Sequence, residues 1–310
     1  METNQSWVTE FILVGFQLSS ELELLLFWVF SLLYTFNLLA NGIILRLIWS
    51  DPQLHTPMYF FLSHLAIIDI SYASSSVPHM LRNLVYHTKN ISFVSCIIQM
   101  TLCLTFASIE CMILVVMSYD RYVAICHPLQ YTIIMNWRRC TVLAVISWAC
   151  GFSLVLIHLI LFLKLPFCGL QEVNHFFCEI LAVLKLSCGD TWVNTIILFA
   201  GGVFIIIGPL SLMLVSYTCI LQDILKIKSK EARKKAFSTC SSHLCVVGLY
   251  FGIAMLLYLV PDDSQRQEPQ KILTLFYSLF NPLLNPLIYS LRNAQVKGAF
   301  YRALGQKRVT

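Results

Sequence analysis

Charge is what this chain has least of: 12% of its 310 residues are Asp, Glu, Lys or Arg, against 58% apolar. An ordinary soluble domain carries about 25% charged residues, so a fold that stands alone in water is excluded. No CxxC pair occurs among the twelve cysteines, which removes a structural zinc site. HExxH, GxSxG and P-loop sequences are missing, and with them the usual metalloprotease, hydrolase and nucleotide-binding chemistries. No internal repeat divides the chain, which counts against transporters built from duplicated halves. Residues 1–20 hold no Lys or Arg and no small-residue cleavage site, so they do not read as a signal peptide.

What is there is apolar sequence in long runs, with a mean hydropathy of +0.74. Runs of about 20 apolar residues or more are membrane spans. The sequence predicts seven: Leu22–Ile48, Pro57–Val85, Phe93–Ile125, Cys140–Leu163, Trp192–Leu225, Ala236–Val260 and Ile272–Leu291. The expected fold is an all-α membrane protein, a seven-helix bundle over residues 22–291, with an N-terminal segment 1–21 and a tail 292–310. Orientation follows from the basic residues. With Met1 outside, the outer segments hold Arg82, Lys89, Lys164, Lys185, Arg266 and Lys271, six of the 21, and the other fifteen face the cytoplasm. That bias puts the N-terminus outside and the C-terminus in the cytoplasm. The net charge of +5 marks this topology and not nucleic-acid binding.

An outward N-terminus makes Asn4, in Asn4-Gln5-Ser6, a glycosylation acceptor; Asn90-Ile91-Ser92 abuts a span and is read as unused. The tail after Asn293 has no cysteine for a palmitate anchor, and Phe300 and Leu304 are spaced as in an amphipathic helix against membrane lipid.

Three groups of residues carry chemistry. Cys96, Cys168, Cys178 and Cys188 face an oxidising compartment, so two disulfides are expected, with three connectivities open. Asp69 and Glu110 are the acids deep in the spans, where an ionisable group marks a functional site. Two like charges in low dielectric need a cation or a shared proton. Asn41, Asn281 and Asn285 offer polar company, and a sodium site, a proton site and a structural hydrogen-bonded cluster all stay open. The third group is Asp120-Arg121-Tyr122, inside MSYDRYVAICHPLQY (Met117–Tyr131), where the third span emerges at a membrane face.

Further motifs accompany that stretch: LHTPMYFFLSHLAIIDISY (Leu54–Tyr72), NHFFCE (Asn174–Glu179), Ser216-Tyr217, KAFSTCSSHL (Lys235–Leu244) and NPLLNPLIYSLRN (Asn281–Asn293). Together, in this order, they resemble the vertebrate olfactory receptors, rhodopsin-like G-protein-coupled receptors of the tetrapod type (class II), family 2. The likeness covers almost the whole chain. It implies a multi-pass plasma-membrane receptor, not an enzyme, that takes a small volatile odorant. Its partner would be a stimulatory heterotrimeric G protein that raises cyclic AMP. The resemblance pairs Cys96 with Cys178 and Cys168 with Cys188. It makes Arg121 the switch, restrained by neighbours such as Asp120, with Tyr122, Tyr217, His243, Asn285, Pro286 and Tyr289 in the same apparatus. No cofactor is implied beyond the ion that Asp69 and Glu110 suggest.

Helical spacing puts Cys103, Ala107 and Cys111 on one stripe of the third span, with Leu104 and Ser108 adjoining. The resemblance lines the ligand cavity with this face and with Gly201, Gly202 and Ile205 of the fifth span. Phe251, Ala254, Met255 and Tyr258 come from the sixth and Leu275 and Ser278 from the seventh. Cys103 stands where amine receptors carry an aspartate and Leu279 where opsins carry their lysine, so neither a cationic amine nor a Schiff base is expected. An apolar lining with hydroxyls at Ser108, Tyr258 and Ser278 fits a small neutral hydrophobic molecule with one hydrogen-bonding group. Two departures stand out: Ala40-Asn41-Gly42 in the first span, and Tyr250-Phe251-Gly252 where the family has Phe-Tyr-Gly, which takes the phenol away from position 251. A transporter or an intramembrane protease would have to rest on Asp69 and Glu110, and transport has no need of Asp120-Arg121-Tyr122.

Overall fold

The computed structural model describes residues 8–15, 19–86, 89–168, 171–226, 228–260, 267–291 and 294–303; at 232, 235–236, 238–239, 242–243, 267–268, 289–291 and 294 it describes the backbone alone. Seven long helices form where the apolar runs predict them: α1 Ser20–Ser50, α2 Pro57–Tyr86, α3 Phe93–Cys126, α4 Trp137–Phe162, α5 Trp192–Lys226, α6 Lys230–Tyr258 and α7 Gln267–Leu291. A helix satisfies its backbone internally, which lipid demands. α1 to α5 are each long and apolar enough to cross a bilayer. α6 has a shorter apolar stretch, Leu244–Tyr258, after a basic first half, and α7 carries Pro282 and Pro286.

The helix ends are set locally. The Ser92 hydroxyl accepts from the Ser95 N–H at 3.2 Å at the start of α3, and Asn136 accepts from the Arg139 N–H at 3.0 Å at the start of α4. Pro57 opens α2 at a position that needs no N–H. Trp49, Trp137 and Trp192 stand exposed at helix ends, where indoles settle between lipid and water. Leu32, Val145, Leu214 and Val215 are exposed as well, which suits a lipid-facing surface.

α3 runs through the middle, packed on α2, α4, α5 and α6. Its approach to α4 depends on Gly151, where an added Cβ would lie 2.5 Å from the Ile109 side chain. Small residues at such crossings let membrane helices close up.

The outer face differs from the all-helical expectation. Glu10–Leu13 (β1) is the middle strand of a small sheet, antiparallel to Asn90–Ser92 (β2) and parallel to Glu172–Val173 (β3). Ile12 lies opposite both Asn90 and Glu172. Phe11 and Leu13 point inward and are buried with Cys96, Phe162 and Val173. Four residues of mixed character give too little alternation to announce a strand; the pairing comes from two loops that arrive from far along the chain.

At the cytoplasmic end a final helix, α8 (Ala294–Ala303), docks on the first inner loop. Val296 and Ala299 are buried, Tyr59 donates to Gln295 at 2.8 Å, and the Arg302 guanidinium donates to Asp51 through Nε at 3.0 Å. That guanidinium holds the Asp51 carboxyl below its usual range. Phe300 is exposed, as an amphipathic helix on lipid requires, while Leu304 lies outside the described residues.

Candidate functional site

The outer loop between α4 and α5 is bolted down over the bundle. Disulfides join Cys96 to Cys178 and Cys168 to Cys188, with Cα separations of 5.4 and 6.0 Å. The Cys178 N–H donates to the Gln99 side chain at 2.9 Å, and that amide donates in turn to the Ser75 carbonyl at 3.0 Å. Glu179 caps the short helix Ile180–Leu184 by accepting from the Ala182 N–H at 3.0 Å. His175 is buried beside Lys271; burial first, then the ammonium charge, pushes its pKa down to about 3.

Beneath the loop lie three separate spaces that share lining residues. The outermost, about 120 Å³, is lined by polar residues such as Glu172, His175, Glu179, Lys185 and Lys271. A middle one, about 20 Å³, lies between Cys103, Cys178, Glu179 and Thr274. The innermost, about 70 Å³, is mostly apolar. Tyr258 borders all three.

Nine of the fourteen predicted ligand residues line the inner cavity: Leu104, Ala107, Ser108, Cys111, Gly201, Gly202, Ile205, Ala254 and Tyr258. Cys103 lines the middle space, its thiol 3.2 Å from the Ser75 hydroxyl. The other four are turned elsewhere. Phe251 is fully buried in the core and Met255 packs against that core. Leu275 joins the Phe30, Val77 and Phe177 cluster, and Ser278 spends its hydroxyl on the Thr274 carbonyl at 2.7 Å. A stripe read on one helix does not tell how far its neighbours are rotated.

The cavity also has walls that the sequence reading did not name. α4 contributes Leu154, Val155 and His158, and α6 and α7 contribute Tyr250 and Tyr277. The Tyr250 hydroxyl donates to the Ala107 carbonyl at 2.7 Å and accepts from the Cys111 thiol at 3.4 Å. The phenol that the Tyr250-Phe251 order removes from position 251 is therefore supplied one residue earlier, and ties α6 to α3.

Below the cavity the two acids meet. Asn285 Nδ2 lies 3.1 Å from both Asp69 oxygens and 3.1 Å from Glu110 Oε1; Asn281 also donates to Glu110, at 3.0 Å. Asn41 donates to the Pro282 carbonyl at 3.1 Å and so joins α1 to α7. All five side chains are buried, and Asn285 Oδ1 has no partner among the described residues. Pro286 follows directly, inside the continuous helix α7.

At the cytoplasmic end Asp120 feels the charge of Arg121 and takes a further partner from the second inner loop. Asp120 is buried and accepts from the Tyr131 hydroxyl of the second inner loop at 2.8 Å. Burial, then the Asp120 charge, raises the Tyr131 pKa, so this phenol stays a donor. Arg121 points onward, its buried Nε without a partner among the described residues. Tyr122 meets His127 at 3.2 Å, and Tyr217 packs with Ile220, Ile224 and Cys240. The side chains of His243 and Tyr289, and Asn4 entirely, lie outside the described residues.

A family model described as "Olfactory receptor" matches residues 30–307. The human olfactory receptor 2A5 is 65% identical over 99% of this chain and 99% of its own length. Human olfactory receptor 2A2 is also 65% identical, over 99% and 97%, and mouse olfactory receptor 2A7 is 58% identical over 99% of each.

Proposed function

The chain belongs to the olfactory receptor family, and from that premise we propose that it detects a small, neutral, mostly hydrophobic volatile in the inner cavity and answers through a stimulatory G protein that raises cyclic AMP. Membership itself makes it a multi-pass plasma-membrane receptor, not an enzyme, with an odorant ligand and a G-protein partner. The observation that carries the finer reading is the inner cavity's lining, apolar apart from Ser108, His158 and the phenol and thiol groups. Such a surface desolvates an apolar ligand cheaply and leaves a few polar points to orient it. A ligand that fits one packing of the helices better than another shifts the population toward it. Arg121, its buried Nε without a partner among the described residues, is then the group offered at the cytoplasmic mouth.

The test is cyclic AMP in cells that express the chain with an olfactory G protein, against a panel of small neutral odorants, with surface expression measured. Arg121→Ala is expected to abolish the response and Tyr258→Phe to retune it. A response that survives Arg121→Ala removes the switch assignment.

We also infer that Asp69 and Glu110 hold a sodium ion. Their carboxylates are hard oxygen donors that meet in one buried place around the Asn285 amide nitrogen, the kind of ligand a hard cation prefers. Sodium exchanged for choline at constant ionic strength is expected to lower thermal stability in the wild type and to do nothing in Asp69→Asn. Equal loss in both would leave a shared proton as the better account.

A further inference from the structure

We propose that His158 on α4, together with Ser108 on α3, is the hydrogen-bonding anchor of the inner cavity, selecting neutral ligands that carry a carbonyl or hydroxyl group. This rests on the reading of that cavity as the ligand site. Histidine in a membrane span is costly unless it is paired. Six histidine side chains are described in this structure, and five have a partner. His64 accepts from Trp148 at 3.2 Å, His79 meets Asn83 at 3.2 Å, and His127 meets Tyr122 at 3.2 Å. His55 reaches the Trp49 carbonyl at 3.4 Å and His175 accepts from the Phe177 N–H at 3.5 Å. His158 makes no hydrogen bond among the described residues, and it lines the cavity.

The opposite wall is shaped for this ring. A Cβ added at Gly201 on α5 would lie 3.0 Å from His158 Nε2 and 3.5 Å from Cε1. Gly201 is therefore the space that the imidazole occupies, and both residues border the same void. The Ser108 hydroxyl is likewise uncommitted, whereas Tyr250 and Cys111 have spent theirs on each other and on the Ala107 carbonyl. A neutral imidazole has one donor and one acceptor nitrogen, and a serine hydroxyl can do either. The pair can thus give to a carbonyl, or give to and accept from an alcohol. A hydrocarbon of the same shape leaves both polar groups unpaired, which is where discrimination of this kind arises.

The experiment uses the full receptor in cells with an olfactory G protein and a panel of matched pairs: aldehydes, ketones and alcohols against hydrocarbons of equal length. Surface expression is measured for each variant. His158→Leu is expected to raise the half-maximal concentration of oxygenated ligands about tenfold, the factor that about 1.4 kcal/mol represents, and to leave the hydrocarbons within about twofold. His158→Gln keeps a donor and an acceptor and is expected to recover part of the loss. Gly201→Ala displaces the ring without removing it and is expected to act in the same direction as His158→Leu. Equal loss for both halves of the panel, or no loss at all, overturns the anchor while leaving the cavity as the ligand site. Silence of the surface-expressed wild type to every member overturns the ligand class and the anchor with it.

Discussion

The outer and inner ends of this bundle are held together by different means. Outside, two disulfides, a three-stranded sheet and the Gln99 bridge fix the loop above the cavity. Inside, single side-chain bonds do the holding: Tyr131 on Asp120, Tyr122 on His127, Arg302 on Asp51. Covalent and main-chain restraints keep one shape ready for a ligand. Side-chain bonds, from about 0–1 kcal/mol for an exposed ion pair to about 1.5–3 for a bond to a charged group, can be exchanged for others when a partner docks, which is how bistable interfaces work. Recognition is preorganised and signalling is left switchable.

Breaking the outer end should therefore cost the protein itself, and breaking the inner end should change only its signal. Cys178→Ser is expected to have the largest effect, a loss of about 2–5 kcal/mol seen as absent surface staining; normal staining would dissolve the contrast. Tyr131→Phe leaves the buried Asp120 without its donor, an effect of about 1.5–3 kcal/mol. Staining should hold while ligand-free cyclic AMP rises several-fold, and an unchanged basal level would deny the inner bond its restraining role.

Acid sharpens the comparison from the outside. His175 titrates near 6.5 when unfolded and at about 3 when folded, so its contribution is complete above 6.5 and is lost as pH falls from there toward 3. Purified receptor should melt at a lower temperature at pH 5 than at pH 7.4, and His175→Phe should flatten that dependence. Arg302→Ala should matter least. Its ion pair with Asp51 is partly exposed, such pairs contribute about 0–1 kcal/mol, and signalling should move less than with Tyr131→Phe.

The helices were legible in the sequence because a span needs an apolar run, although α6 and α7 begin at Lys230 and Gln267, ahead of the predicted Ala236 and Ile272. α1 and α5 stop at Ser50 and Lys226, close to the predicted ends Ile48 and Leu225. The shared α3 stripe of Cys103, Ala107 and Cys111 was legible in their helical spacing; Ala107 and Cys111 line the inner cavity and Cys103 the middle space. His158 was not. α4 is apolar along nearly its whole circumference, so no stripe says which side faces inward, and a single polar residue fits several rotations equally. Tyr131 was missed for another reason: the bond to Asp120 depends on how the chain turns back after His127, and loop geometry leaves little periodic trace. β1 is the extreme case, four residues whose partners lie up to about 160 positions away.

That strand also sets an order of events in the making of the receptor. Ile12 sits between Asn90 and Glu172, so its second neighbour does not exist until four spans have been synthesised and threaded into the membrane. A strand made before all seven spans is thus fully paired only after four of them are in place. It closes the outer face only after the loop it must join has crossed to the same side, and a chain inserted with one span inverted would have no place to put it.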